Sequence, residues 1–493
     1  MEPARPSGVR GLFKDTVVYG LATAAARSTW LVLFPIYAIY YGVEDFGALE
    51  LFLAITTLLV ALAAFGQDSS LLRYFNERTE GSVRRNFVGQ CIAIQAAGVC
   101  LIVLLAVLMP DLAKQLVDHP QGAQIFWLIL LQVPFQLLTN TALTVLRARF
   151  ATRSYLVVAL GNVLLQVPAN IVALVVFQAD LKALFQINLA IAVITALVAL
   201  TFIRSDLSWP RTLGDLPPLL VYGVPMWAIV VVSALQPAVD RALASSLLGP
   251  GGISRYAAGA RVAMLISLPI QAFQIAWYPQ VMAKYKDEGF PHFFDQVLKA
   301  LTVALGGLVL ALTALSPLVL MLIDAEKYAG ADLIVFPVAM GLVLQGISMM
   351  TGVGTVLAAK PYLRLVSFLA SLAVAIGMTM ILAPRLGILG VAIATLSGQA
   401  LKWILETWFG RAVWPLRMPL VPIVSLVLAV TGAGMSYVLL RMSSDVTTAT
   451  MVLVASSAAI VAGAWYGVID ATQRAGLIGL FRRGREEPPS SRT

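Results

Sequence analysis

Long apolar runs, each about long enough to cross a bilayer, follow one another along nearly the whole chain. A helical span takes roughly 17–25 mostly apolar residues. About fourteen stretches meet that length: 17–41, 48–66, 87–109, 123–146, 155–178, 181–203, 217–240, 256–279, 294–323, 331–357, 361–383, 387–410, 418–440 and 448–469. Inside hydrocarbon, each segment must satisfy its own backbone amides and carbonyls, so these runs are expected as helices. Of the 493 residues, 59% are hydrophobic and only 12% charged, with a mean hydropathy of +0.87. A soluble chain of this length needs far more polar surface. A soluble enzyme, a disordered protein and a nucleic-acid-binding domain are therefore excluded as main readings. The connections are short, so no soluble domain is inserted between spans.

The net charge of +9 belongs to the same picture. With the N-terminus inside, the inner connections gather most of the basic residues. Examples are Arg73, Arg78, Arg84 and Arg85, then Arg147, Arg149 and Arg153, and finally Arg482, Arg483 and Arg485. The outer connections carry few: Lys114, Lys182, Arg241, Arg255, Lys327, Arg385 and Arg441. This asymmetry predicts both termini inside and an even number of spans. The apolar run after the basic start is too long for a signal-peptide core, so 17–41 is expected as the first span, not a cleaved leader. Residues 470–493 are expected as a short cytoplasmic tail. The two cysteines, Cys91 and Cys100, share one apolar run, and the two histidines lie in different loops. A disulfide framework, a metal centre and a histidine-dependent nucleophile are not supported. No cofactor is expected.

Charge inside the bilayer is costly and usually faces a partner or water. Arg27 lies about 15 Å into the first span at 1.5 Å per residue, too deep to snorkel easily. Arg261 opens the eighth span, with Gln271 and Gln274 on its face. Both arginines are candidates to line a cavity for an anionic group such as a pyrophosphate. Asp240 and Arg241 end the seventh span and point about 100° apart on a helix. They read as a rim or gate, as does Arg73. Lys402 and Glu406 stand four apart, close enough to neutralise each other. Gln132, Gln136 and Asn140 in the fourth span and Asn162, Gln166 and Asn170 in the fifth form two amide stripes. Amides both donate to and accept from sugar hydroxyls, and they also tie helices together. Two stripes on successive helices suggest a polar cavity wall able to meet a glycan.

A weak internal repeat divides the chain. Val18-Tyr19-Gly20 opens the first span and Val221-Tyr222-Gly223 the seventh, with Pro35 and Pro237 late in each. Two pseudo-symmetric six-helix lobes are expected, 1–204 and 217–410, with spans thirteen and fourteen at 418–469. Repeats of this kind are common in secondary transporters.

Several segments resemble one family. Gly20 through Pro35 to Tyr41-Gly42 and Phe46-Gly47 is similar to the first span and loop of the Wzx-type polysaccharide transporters. These belong to the multidrug/oligosaccharidyl-lipid/polysaccharide (MOP) superfamily. Phe65-Gly66-Gln67-Asp68 through Arg73-Tyr74-Phe75 resembles the end of their second span. Asp240-Arg241, Leu248-Gly249 and Ser254-Arg255-Tyr256-Ala257-Ala258-Gly259 resembles their seventh-to-eighth-span segment. Ser254 stands there where glycine is usual. The resemblance implies a bacterial inner-membrane flippase, not an enzyme. Its substrate would be an undecaprenyl-pyrophosphate-linked oligosaccharide for O-antigen, exopolysaccharide or capsule, moved by alternating access. It implies membrane lipids as partners, and a polysaccharide polymerase and chain-length proteins of the same pathway, but no nucleic acid. A cation-coupled multidrug antiporter of the same fold and a lipid II flippase are the alternatives. No Walker A motif is present to support ATP hydrolysis.

Overall fold

Thirteen helices of the computed structural model are long and apolar enough to cross a membrane. They lie among the described residues: 29, 32–77, 81–109, 119–212, 214–324, 326–358, 360–415, 417–443 and 445–467. These helices match thirteen of the expected spans. The remaining one, 17–41, reaches the described residues only at Thr29 and from 32 onward, where 32–40 are helical (α1). Among the described residues there is no strand.

The first half continues with α2 (Val43–Ala64), the short α3 (Gln67–Tyr74), α4 (Gly81–Leu108), α5 (Gly122–Ala148), α6 (Thr152–Val175) and α7 (Leu181–Ile203). Asp180 caps α7, its carboxylate accepting from the Ala183 amide at 2.8 Å. The linker after α7 is pinned by Asp206, which is buried and paired with Arg84 and Arg149. The second half opens with one helical stretch, Leu216–Ala263, broken at Gly249. There φ is +71°, a left-handed region open mainly to glycine. The break separates α8 (Leu216–Gly249) from α9 (Gly251–Gln274), whose last turns run on to Lys284. Then come α10 (Phe290–Asp324), α11 (Val335–Thr351), α12 (Pro361–Leu386), α13 (Ile388–Val413), α14 (Leu420–Ser443) and α15 (Val446–Gly467). The expected end of the seventh span at 240 is too early. Asp240 and Arg241 are buried with partners, so no membrane surface stops the helix there.

Proline does not stop these helices. Pro134, Pro168 and Pro317 lie inside α5, α6 and α10. Neighbouring helices in a bundle can satisfy the carbonyls that proline frees. Cys91 is buried and Cys100 exposed, and neither is in a disulfide.

The two halves meet along α2 and α8, which run antiparallel in a steady register. Glu50 faces Arg241, Ala61 faces Trp227, and Gly66 faces Gly223. One large core joins them, with Phe46 edge-on to Tyr328 at 5.9 Å and Phe52 edge-on to Phe185 at 5.7 Å.

Candidate functional site

The seam between the halves is built differently at its two ends. At one end, Glu50 projects from the second turn of α2, which is otherwise apolar there, and is 2% exposed. Two arginines of the other half converge on it. Arg261 of α9 grips it as a fork, Nε on Oε1 at 2.8 Å and Nη2 on Oε2 at 2.9 Å. Arg241 of α8 adds Nε and Nη2 to Oε2 at 3.3 and 3.2 Å, and its Nη1 donates to the Pro237 carbonyl. A planar guanidinium matches a carboxylate or phosphate in this two-point fashion. Two guanidinium groups of one half thus share a single carboxylate of the other.

This end is strapped further. The Lys327 ammonium donates to the carbonyls of Ala38 and Tyr41, and the Tyr328 hydroxyl donates to Ala38 at 2.8 Å. Burial holds the Lys327 ammonium below the usual lysine range. The Tyr41 hydroxyl donates to Ala179, 3.2 Å away.

At the other end, charge gives way to rings and bare backbone. Phe65 stacks on Trp227, centroids 4.9 Å apart and planes within 3°. The Trp227 indole N–H donates to the Ala61 and Leu62 carbonyls. Ser70 donates to the Leu219 carbonyl at 3.0 Å. Gly66 has φ +67°, and a Cβ on it would stand 2.1 Å from the Gly223 oxygen. Arg73 of α3 lies 5.6 Å from the ring centres of both Tyr74 and Tyr222. The expected gate arginine thus spans the seam through cation–π contacts.

The amide stripes do come together. Gln132, Gln136 and Asn140 of α5 and Asn162 and Gln166 of α6 line one pocket of about 170 Å³ inside the first half. Thr139 of α5, and Asn188 and Thr195 of α7, complete it; sequence reasoning missed all three. Asn188 and Thr195 are seven apart on α7, a spacing that could have flagged them. Asn170 is different. It is fully buried, accepts from the Tyr37 hydroxyl at 3.1 Å, and donates to the Gln166 carbonyl and to Asn188. It fastens α1, α6 and α7 together and does not line the pocket.

A second small pocket, about 130 Å³, lies in the other half. Asp240 and Arg241 line it, with Gln236, Gln345, Tyr256 and Thr395. Asp240 accepts from the Thr395 hydroxyl at 3.2 Å while its neighbour Arg241 turns to Glu50. The two do point apart as expected, but neither is an exposed rim residue. Gln271 and Gln274 of α9 are half-buried and line neither pocket. Arg27 lies outside the described residues.

The expected Lys402–Glu406 pair does not form. Arg364 takes Glu406 at 3.5 Å, and the Lys402 ammonium sits 3.8 Å from the centre of the Phe368 ring. A guanidinium from α12 competes for the carboxylate, and the ring face offers the ammonium an alternative. Sequence reasoning also missed Glu50. It is the only acid in the run 48–66 apart from Asp68 just beyond it, and a lone carboxylate in such a run is the signal that intramembrane charge provides. Among the described residues no group of histidine, cysteine and acidic side chains could hold a metal ion.

Residues 12–286 match the family model described as polysaccharide biosynthesis protein. That is more than half of the chain, and the chain belongs to this family. No functionally curated protein matches it by sequence. Its fold is shared with solved membrane proteins at low identity. An inward-facing multidrug resistance transporter of the MATE family, MOP superfamily, is 16% identical with a TM-score of 0.67, covering 78% of this chain and 94% of that one. The lipid II flippase MurJ in an inward closed conformation is 14% identical with a TM-score of 0.66, covering 90% and 98%. A MOP superfamily transporter from Pyrococcus furiosus is 18% identical with a TM-score of 0.62, covering 81% and 95%. The chain is therefore a multi-pass membrane protein whose fold is shared with solved MOP-superfamily proteins.

Proposed function

We propose that this member of the polysaccharide biosynthesis protein family is a flippase for an undecaprenyl-pyrophosphate-linked oligosaccharide, working by alternating access of lobes 1–204 and 217–410 in the bacterial inner membrane. One observation carries the reading: Arg241 and Arg261 of one half converge on a single buried carboxylate, Glu50, of the other. A pair of forked cations around one carboxylate is also a fitting cradle for a diphosphate. In this reading the pyrophosphate takes the place of Glu50 on the arginines. Losing those ion pairs frees the halves to part at that end, which faces the periplasm with both termini inside.

The amide pocket supports a role in meeting the glycan. At about 170 Å³ it is far smaller than an ordinary ligand pocket of roughly 300–1,000 Å³, so it receives a small part of the glycan and the rest lies in the space between the lobes. Polymerase and chain-length proteins of the same pathway are the partners this reading implies. A second reading, the cation-coupled multidrug antiporter, draws on the buried acids Glu50 and Asp240.

Complementation tests the proposal. The chain is expressed in a bacterium lacking its own glycan flippase, and surface polysaccharide is measured. Wild type restores it. Arg261→Lys keeps the charge but loses the fork, and should lower output roughly tenfold, the worth of one charge-assisted hydrogen bond of about 1.5 kcal/mol. Arg261→Ala lowers it further. Normal output from well-inserted Arg261→Lys and Arg261→Ala would sink the arginine site. Failure of the inserted wild type, together with drug efflux that depends on Glu50 and Asp240, would favour the antiporter.

A further inference from the structure

We infer that a groove between α11, α13 and α14 is a binding site for an anionic phospholipid of the surrounding bilayer. The groove measures about 1000 Å³, at the upper end of the roughly 300–1,000 Å³ of ordinary ligand pockets. Its walls are aliphatic, with Leu396 and Ile404 of α13 facing Val424 and Leu428 of α14. Ile404 and Leu428 are more than half exposed, so the protein leaves this trough unfilled. Acyl chains match such a lining and a polar ligand does not.

The charge at one mouth selects the headgroup. Arg411, in the last turn of α13, and Arg417, in the connection to α14, both line the groove there. Neither has an ion-pair or hydrogen-bond partner among the described residues. Trp408 stands beside them, 63% exposed, and Trp414 packs on Tyr285 at 5.9 Å. Tryptophan and tyrosine gather at the headgroup level of a membrane, which sets this mouth where lipid phosphates lie.

The molecule contains its own control. A comparable groove of about 850 Å³ lies between α10, α14 and α15. The cation on its wall, Arg441, is already bound to Asp332 at 2.8 Å. That groove presents no free positive charge and has no reason to prefer an anionic headgroup. The two troughs are alike in size and apolar lining; the unpaired arginines distinguish the first. A cation beside an anionic membrane surface contributes on the order of 1 kcal/mol. Two unpaired arginines therefore give roughly a thirtyfold preference for an anionic over a zwitterionic headgroup.

The test uses the full chain purified in detergent and returned to mixed micelles of phosphatidylglycerol or phosphatidylcholine. Retained lipid is counted by native mass spectrometry, and the thermal unfolding midpoint is followed. Wild type should retain phosphatidylglycerol in preference and unfold at a higher temperature in it. Arg411→Gln with Arg417→Gln, both at exposed positions, should lose that preference while unfolding as wild type does in phosphatidylcholine. Leu428→Trp, which fills the trough, should release the lipid with the arginines intact. Equal retention of the two lipids by wild type overturns the proposal. So does an unchanged preference in the double variant, or a polyprenyl phosphate displacing phosphatidylglycerol from the groove.

Discussion

The two ends of the α2–α8 seam hold the same pair of helices together by opposite means. At the Glu50 end, a buried carboxylate is gripped by two guanidinium groups from the other half. At the Gly66 end, among the described residues, α2 and α8 meet through stacked rings, two closely approaching glycines and hydrogen bonds to backbone carbonyls, with no ion pair between them. Burying ions costs desolvation that their attraction repays only when the geometry is good. Such a contact can be exchanged for another anion of similar shape. Close backbone packing has no substitute partner and is either present or broken. The charged end is thus suited to being opened by a ligand, and the packed end to serving as the pivot.

Four single substitutions and one double bear on that contrast. Glu50→Ala should have the largest effect, about 3–5 kcal/mol, because it removes the carboxylate on which two guanidinium groups converge. Thermal unfolding in detergent reads this loss, and Arg241→Ala added to Glu50→Ala should recover part of it. An unchanged midpoint would mean that the ion cluster does not hold its end. Gly66→Val should cost about 3 kcal/mol, since its Cβ meets the Gly223 carbonyl and its φ is left-handed. A fully tolerated valine would remove the case for a packed pivot. Trp227→Phe keeps the ring on Phe65 but drops the N–H bonds to Ala61 and Leu62, for about 1 kcal/mol. A cost near that of Glu50→Ala would erase the distinction between the ends.

The smallest effect comes from Asp180, an exposed carboxylate at the charged end. The Ala183 amide, and after it the Gln121 side chain, hold its carboxyl below the usual carboxylate range. A carboxylate with a lowered folded pKa stabilises above its unfolded value of about 3.9 and loses that help as the pH falls through the folded one. Asp180→Asn keeps a capping oxygen. It should therefore leave the neutral-pH midpoint within about 0.5 kcal/mol of wild type while removing this part of the acid sensitivity. Circular dichroism melts between pH 3 and 7 follow both quantities, with roughly those limits set by the carboxylate range.

Thirteen of the spans could be read from run length alone, because a bilayer demands a fixed number of apolar residues in a row. The amide pocket was legible for a related reason. Residues four apart share a helix face, so Gln132, Gln136 and Asn140 announce a stripe without knowledge of the fold. What that rule cannot supply is the neighbour. It does not say that α7 would close the pocket with Asn188 and Thr195, or that Asn170 would be taken by Tyr37 from α1. The same gap explains the pairs read by adjacency. Lys402 and Glu406 are spaced to meet, yet Arg364 from another helix reaches the carboxylate. Glu50 and Arg261 are 211 residues apart, and no local pattern links them.

One property of the amide pocket bears on energetics. It is lined by α5, α6 and α7 alone, all in the first half. If the halves rock as bodies, its walls do not change, and whatever occupies it is held equally well in every state. A ligand bound equally in two states shifts no population between them. In the proposed function, such a pocket selects among cargoes without driving the turnover. Work on the equilibrium must come from a contact whose strength differs between states, and in the proposed function that contact is the arginine pair straddling the seam.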